Sequence, residues 1–191
     1  MSFKSITSAS ALSTSEINQL LDIASEMKRI VNSRVKRGPQ LLGKSLAVLD
    51  FKGDPLTANT LKLACEYMSG LSFVFSDCES VERSVARAQA LGANFVAIID
   101  SDGRSAERAQ ASGAQIVDCF YDASAVKILT YLFTLKEELE TLKSLDVTVW
   151  GRRAKKMLHL LRNMESAALQ QRWQYVFFRW TKKKRIRYCR K

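Results

Sequence analysis

At 191 residues the chain suits one domain, or one domain with an extension, and 47% apolar residues allow it to bury a core. It has no window of about eighteen apolar residues, which excludes a membrane-spanning helix. The formal net charge of +11 is uneven, because residues 151–191 hold 14 of the 30 Lys and Arg but a single acid, Glu165. This asymmetry predicts a nearly neutral globular body followed by a basic segment that seeks polyanions.

The first fifteen residues are rich in Ser and Thr and contain no acid. A short organelle-targeting segment has this composition, and so does a frayed N-terminus in front of a helix, which is the interpretation we favour. Ser13 and Glu16 then have the spacing of a capping box, and apolar residues at helical intervals follow them. The first helix is predicted to end before residues 35–38.

Residues 45–70 carry the clearest local pattern of the chain. Residues 45–51 form an apolar run of strand length, which is typical of a buried parallel strand. Gly53 allows a tight turn, Asp54 is a good N-cap, and Pro55 stands at the first helical position, where proline fits best. The stretch therefore predicts a strand, a turn and a helix over residues 55–69.

The same alternation of strand and helix continues along the chain. Further strands are predicted at 72–76, 95–100, 115–118, 147–150 and 173–178. Further helices are predicted at 81–91, 105–112, 124–145 and 152–171, the last of them basic and amphipathic. Such alternation favours an α/β fold in which a parallel sheet has helices on both faces.

Several strings resemble the aspartate/ornithine carbamoyltransferase family. Residues 132–139, LFTLKEEL, are close to the family's Leu-Phe-Thr-Ile-Arg-Glu-Glu-Leu, and residues 78–80 resemble its Gly-Glu-Ser loop. The resemblance covers roughly residues 3–151, the family's N-terminal, carbamoyl-phosphate-binding domain. It implies a carbamoyltransferase-like domain at 1–145, a short β-α-β remnant of the second, amino-acid-binding domain at 146–178, and a basic tail at 179–191.

The family's phosphate-binding motif, Ser-Thr-Arg-Thr-Arg, falls on residues 54–58, DPLTA, in a gap-free alignment. Only Thr57 is kept. The two arginines that hold the phosphate become Leu56 and Ala58, and the carboxylate of Asp54 at the helix start repels a phosphate. The resemblance therefore implies a degenerate phosphate site.

The family's groups for the carbamoyl end are also altered. Its His-Pro-x-Gln motif falls on residues 124–127, SAVK, so Ser124 and Lys127 stand at its ends. Its strand-end Arg falls near Ile99 or Asp100. The side chains of Thr57 and Lys127 can still bind an unrelated anion. We expect no catalytic residue, no substrate site, no metal and no cofactor, and we interpret the lone His159 as a surface or packing residue.

The basic tail interleaves cations with aromatic side chains, a pattern that neutralises phosphates and stacks on unpaired bases. The predicted nucleic-acid-binding residues are Arg179, Lys182, Lys183, Lys184, Arg185, Arg187, Arg190 and Lys191. A solvated tail, an anionic membrane surface and an acidic protein partner are alternatives. The four cysteines, Cys65, Cys78, Cys119 and Cys189, lack metal-ligand spacing. They predict reduced thiols in an intracellular, reducing compartment, with the mitochondrion as a candidate.

These patterns lead to a functional hypothesis. The altered site and the basic tail predict a non-catalytic, carbamoyltransferase-like pseudoenzyme that serves as a structural, RNA-contacting subunit of a large ribonucleoprotein such as an organellar ribosome. The alternative is a carbamoyltransferase that binds carbamoyl phosphate and acts with another chain, or a regulatory pseudo-subunit of one. The family forms trimers through this domain, which implies a homo- or hetero-trimer.

Overall fold

The computed structural model describes residues 5–8, 11–101, 104–119 and 125–139, together with the backbone of two strands at 146–149 and 172–175. The helices are α1 Thr14–Asn32, α2 Pro55–Tyr67, α3 Val81–Ala90, α4 Ser105–Gln110 and α5 Ala125–Leu139. The strands are β1 Ser45–Asp50, β2 Leu71–Phe75, β3 Phe95–Ile99, β4 Gln115–Asp118, β5 Asp146–Val149 and β6 Arg172–Tyr175.

Four strands form one parallel sheet in the order β2-β1-β3-β4. Successive strands are joined by α2, α3 and α4, as parallel pairing requires. β1 and β3 are the inner strands, and their near-continuous apolar runs fit burial on both faces. The α/β fold predicted from the sequence is confirmed.

Helices cover both faces of this sheet. On one face, α3 and α4 pack on alternate strand residues; this core comprises Ala47, Leu49, Val81, Val85, Ala88, Val96, Ile98, Ala106, Ala109 and Ile116. On the other face, Ala58 of α2 packs with Val48, Ala97 and Ile99, and with Cys119. The period-two alternation of β1 and β3 therefore divides the core into two layers.

Local sequence signals fix the helix boundaries. In the capping box of α1, the Ser13 backbone N donates to Glu16 Oε2 at 2.7 Å, and the Glu16 backbone N donates to Ser13 Oγ at 3.3 Å. At its far end α1 packs on α5, where Lys28 Nζ lies 2.7 Å from Glu137 Oε2. The predicted capping box is confirmed.

The described part of the N-terminus is not frayed. Ile6 pairs in parallel with β4: its N donates to the carbonyl of Ile116 at 2.8 Å, and its carbonyl accepts from the Asp118 N at 2.9 Å. Ser5 Oγ also accepts from the Ile116 N at 3.0 Å. The interpretation of a frayed end is wrong for these residues, because they form hydrogen bonds with β4, the strand at the outer edge of the sheet.

β5 and β6 pair with each other in parallel, as a second sheet of two strands. The helix predicted at 152–171 and the basic tail lie outside the described residues, so the division at 145 and 178 stays a prediction. Within the described ranges, no helix has the length and apolar character needed to cross a bilayer.

Candidate functional site at the carboxyl edge of the sheet

The topology marks one place on the sheet for a ligand. From β1 the chain moves outward to β2, and it then returns past β1 to form β3 on the other side. The connections therefore diverge between the carboxyl ends of β1 and β3, and open α/β sheets bind ligands at such a switch point. Here the Phe51 N donates to the carbonyl of Ile99 at 2.9 Å, which holds the two strand ends together.

Asp50, the last residue of β1, is a buried carboxylate with 4% exposure. Its Oδ1 accepts from two backbone N–H groups of the following turn, Lys52 at 3.1 Å and Gly53 at 2.8 Å. Gly53 has a φ of 71°, a left-handed conformation that glycine adopts without strain. Within the described part of the chain, Oδ2 of Asp50 accepts no hydrogen bond, so one oxygen of this buried carboxylate is unpaired.

Asp54 caps α2, as predicted. Its Oδ1 accepts from the Thr57 N at 3.1 Å and its Oδ2 accepts from Thr57 Oγ1 at 3.0 Å. The Thr57 N–H and then its hydroxyl are the main causes that lower the pKa of Asp54, and the charge of Lys52, 4.0 Å from Oδ2, lowers it further. The chain's own carboxylate therefore holds the place at the helix N-terminus that an anion takes in other proteins.

Asp100 follows β3 on the other side of the switch point. Its Oδ1 accepts from the Ser101 N at 2.6 Å, and its Oδ2 accepts from the hydroxyl of Ser105. Ser105 is buried at the start of α4. Of the two positions, Ile99 and Asp100, near which the resemblance placed a strand-end arginine, Asp100 therefore carries a carboxylate whose two oxygens are already bound.

The other predicted site residues are scattered. The side chain of Leu56 is exposed, whereas Ala58 is buried in the core, packed on residues of β1 and β3. Lys127 is half-buried in the first turn of α5. Ser124 lies outside the described residues. So do all the tail positions assigned to nucleic acid, namely Arg179, Lys182, Lys183, Lys184, Arg185, Arg187, Arg190 and Lys191.

Lys52, which the sequence analysis did not consider, lies in the turn after β1. Its side chain is 27% exposed, and its Nζ lies 4.0 Å from Asp54 Oδ2. The signal was present in the sequence, since Lys52 is the only cation in the segment that joins β1 to α2.

The thiols offer no nucleophile at this edge. Cys65, Cys78 and Cys119 are free, and burial is the main cause that raises the pKa of each, to about 12 for Cys119. Thiols of raised pKa carry little thiolate at neutral pH. In the described ranges, no three His, Cys, Asp or Glu side chains are grouped so as to hold a metal ion.

Comparison with known proteins identifies what the chain resembles. No protein-family model matches it. It is 28% identical over 151 residues to the aspartate carbamoyltransferase catalytic subunit of Carboxydothermus hydrogenoformans, covering 73% of this chain and 48% of that protein. It is 31% identical over 102 residues to the corresponding subunit of Akkermansia muciniphila, covering 50% of this chain and 33% of that protein. The chain thus spans about half the length, or less, of these relatives.

Solved structures show the same fold. Aspartate transcarbamoylase from Trypanosoma cruzi in complex with carbamoyl phosphate superposes with a TM-score of 0.72 at 20% identity, covering 88% of this chain and 58% of that chain. The ligand-free form of the enzyme gives a TM-score of 0.74 at 18% identity, covering 87% of this chain and 55% of that chain. The resemblance predicted from the sequence, to the N-terminal domain of the carbamoyltransferases, is confirmed.

The same comparisons show that the functional prediction is wrong. A non-catalytic subunit without enzymatic activity was expected from the altered motif, but the relatives are catalytic subunits of a carbamoyltransferase. None of these relatives is described as an RNA-binding, ribosomal or mitochondrial protein. The family's motif is lost at residues 54–58 only, whereas the similarity to a catalytic subunit extends over 151 residues.

Proposed function

We propose that this chain, similar in sequence and fold to aspartate carbamoyltransferases, is a carbamoyltransferase subunit that binds carbamoyl phosphate and acts with another chain. The observation that supports this most strongly is the similarity to catalytic subunits over 151 residues. The observed topology supports the location, because the crevice between β1 and β3 is where such a sheet binds its ligand.

The reaction needs a small set of groups. An amine nitrogen attacks the carbonyl carbon of carbamoyl phosphate, a C–N bond forms, and the bond from carbon to the phosphate oxygen breaks. The protein must hold the charge of the phosphate and orient the two reactants. Lys52 is the cation that the turn after β1 brings to this edge, and we assign it to the phosphate end.

The charge of the described residues at this edge indicates that further cationic donors are needed. Asp50, Asp54 and Asp100 surround the switch point, and Lys52 is the single cation in the turn that faces them. Carbamoyl phosphate carries about two negative charges, which one ammonium does not neutralise, and charged donors bind phosphates best in groups. We therefore infer that further cationic donors complete the site, from a second chain in a homo- or hetero-trimer such as the family forms or from parts of this chain outside the described residues.

The test compares binding and turnover with and without a partner. Carbamoyl phosphate is titrated calorimetrically into the purified chain, and into its equimolar mixture with a full-length aspartate carbamoyltransferase catalytic subunit. Lys52→Met is expected to weaken binding at least tenfold, about 1.4 kcal/mol. Lys44→Met is the matched control, because exposed Lys44 precedes β1 at the opposite edge of the sheet.

Turnover is followed as release of inorganic phosphate that depends on an added amine. The rate of phosphate release by the mixture should exceed the sum of the rates of the two proteins measured separately. The proposed function is contradicted if the chain alone shows no saturable carbamoyl-phosphate binding and the mixture binds no more than the full-length subunit does alone.

A further inference from the structure

We propose that the amino edge of the sheet binds an acidic, extended segment of a partner protein, which adds as a strand to the outer edge of β2. This surface lies at the opposite end of the strands from the carboxyl edge, so the inference does not depend on the proposed function. Three features carry it: a loop that has cations and no acid, a groove beside that loop, and the outward backbone groups of β2.

Cations are concentrated in the chain between Glu26 and Asp50. This stretch contains no acid and six cations, namely Lys28, Arg29, Arg34, Lys36, Arg37 and Lys44. Lys28 pairs with Glu137, and the other five make no ion pair among the described residues. The segment between α1 and β1, residues 33–44, is called the basic loop, and all four of its cations are exposed. Exposed charges of one sign attract a partner of the opposite charge.

The basic loop lies directly beside the start of β2. The Leu41 N donates to the carbonyl of Met68 at 2.8 Å, and the Leu71 N donates to the carbonyl of Lys44 at 2.9 Å. These two hydrogen bonds hold the backbone of the loop against the first residues of the strand. A segment that pairs with β2 therefore reaches the basic loop at one of its ends.

A groove with a volume of about 450 Å³ opens where the loop meets the strand. Arg37 and Leu42 line it from the loop, Glu66 lines it from α2, and residues 69–72 form the remaining wall. Leu42 and Leu71 are each 72% exposed. The groove offers apolar contacts, one cation and one carboxylate. It therefore suits a peptide with mixed side chains better than a row of phosphates, which Glu66 repels.

The outer edge of β2 offers backbone hydrogen bonds that an extended polypeptide can match. The Leu71 N points to β1, and successive residues of a strand alternate in direction, so the N–H and C=O groups of Ser72 and Val74 point away from β1. No described strand pairs with this edge. A peptide adds to such an edge through its main chain, whereas a lipid surface or a nucleic acid does not.

The occupant that fits these features has two parts. A stretch of alternating apolar and polar residues pairs with β2, and a run of Asp or Glu at one end lies over Arg34, Lys36 and Arg37. A second copy of this chain does not meet this description through β2, because residues 69–76, SGLSFVFS, contain no acid. The acids provide charge complementarity, and the strand pairing provides the geometry.

Fluorescence anisotropy of the full chain with two labelled peptides, TVTVTDEED and DEEDTVTVT, tests the inference at physiological ionic strength. The two orders cover antiparallel and parallel addition to β2. We expect saturable binding of at least one of them. We expect no binding of TVTVTNQQN and NQQNTVTVT, in which each acid is replaced by its amide.

The contribution of the basic loop is measured with a triple variant, Arg34→Gln, Lys36→Gln and Arg37→Gln. It should weaken binding of the acidic peptide about tenfold or more, because the charges that face the acids are removed. The matched control removes the same charge from the C-terminal tail and should leave peptide binding unchanged; it combines Lys182→Gln, Lys183→Gln and Lys184→Gln.

The contribution of the strand is measured with Val74→Pro. This change removes an N–H group that points away from β1, and edge strands tolerate proline at such a position. It should also weaken peptide binding about tenfold or more, because the peptide loses a main-chain donor. Val74→Thr keeps the N–H group and should bind the peptide as the wild type does.

Three results would overturn the inference. The first is equal peptide binding by the wild type and the loop variant, or an equal loss in the tail variant. The second is equal binding by a folded Val74→Pro variant, which refutes strand addition; if this variant does not fold, the loop and tail variants still decide. The third is an equal effect of the loop variant on single-stranded DNA or on vesicles of phosphatidylcholine and phosphatidylglycerol, which indicates a general polyanion surface.

Discussion

Thr57 donates two hydrogen bonds to one carboxylate, that of Asp54, from its backbone N at 3.1 Å and from its hydroxyl at 3.0 Å. These two hydrogen bonds join the first turn of α2 to the segment that carries Lys52. The start of the helix and the position of the candidate cation therefore depend on a single ionised side chain.

The first prediction concerns the pH dependence of this cap. The pKa of Asp54 in the folded chain lies below the ordinary value of an aspartate side chain, chiefly because the Thr57 N–H stabilises the ionised form. The carboxylate therefore stabilises the fold above the unfolded-state pKa, and this stabilisation is lost as the pH falls through the folded-state value. Asp54→Asn should be less stable than the wild type at pH 7, and the difference should shrink below about pH 4.

Urea unfolding at pH 7, 5, 4 and 3 measures this difference. Thr57→Val serves as the companion variant, because it removes the hydroxyl donor and keeps the backbone donor. A difference between wild type and Asp54→Asn that stays constant across the series would show that the charge of Asp54 plays no part.

The second prediction concerns Ser69, which follows α2 with a φ of 61°. A non-glycine residue in the left-handed region costs roughly 1 kcal/mol, and helices commonly end with glycine in this conformation. Ser69→Gly should raise the free energy of unfolding by about 0.5–1 kcal/mol. The converse change, Gly92→Ala at a φ of 82° with no atom within 4 Å of the new Cβ, should lower it by about 1 kcal/mol.

Chemical denaturation of both variants supplies the measurement. Destabilisation by Ser69→Gly would mean that the Ser69 side chain makes a contact worth more than the backbone strain.

The third prediction concerns the N-terminal edge of the sheet. Removing residues 1–8 deletes the carbonyl of Ile6, which accepts from the Asp118 N at 2.9 Å. The Asp118 amide should then exchange with deuterium at least tenfold faster, because local opening no longer breaks a hydrogen bond. The amide of Cys119 donates instead to the carbonyl of Ile98 at 2.9 Å and should keep its protection within about twofold. Equal acceleration of both amides would indicate loss of β4 as a whole.

The fourth prediction concerns thiol reactivity in a Cys189→Ser background. Burial raises the pKa of Cys119 from 9.0 to about 12, which reduces its thiolate population near neutral pH about a thousandfold. Iodoacetamide at pH 7.5 should modify half-buried Cys78 first and leave Cys65 and Cys119 unmodified. In urea all three should react at similar rates. Mass spectrometry of peptic peptides reads out the order, and early labelling of Cys119 in the folded chain would contradict the burial described above.

The sequence predicted the β1–turn–α2 unit closely because its signals are local. The apolar run, the Asp54 cap and Pro55 each determine the conformation of their own neighbours, and the strand and helix ends lie within about two residues of those predicted. The bridge between Ile6 and Val117 was not predictable in this way, because it joins segments far apart in the chain and Ile6 has no strand pattern around it.

The site was predicted less well, for a related reason. A gap-free alignment placed Ala58 in the ligand site, but the phase of α2 turns its side chain into the core. Asp50 fell within the predicted strand 45–51 and was not singled out, since its burial depends on elements distant in sequence. The function was misjudged because residues 54–58 were weighed more heavily than the similarity of the whole domain.

The two edge strands of the four-stranded sheet differ in their capacity to pair with a strand of a second molecule. Ile6 closes part of the β4 edge, whereas no strand among the described residues pairs with the outer edge of β2, where Leu71 is 72% exposed. Growth of a sheet from copy to copy into a fibre needs two receptive edges on every copy. Pairing of β2 with β2 uses up this edge in both participants, so a contact of this kind gives a closed pair of copies.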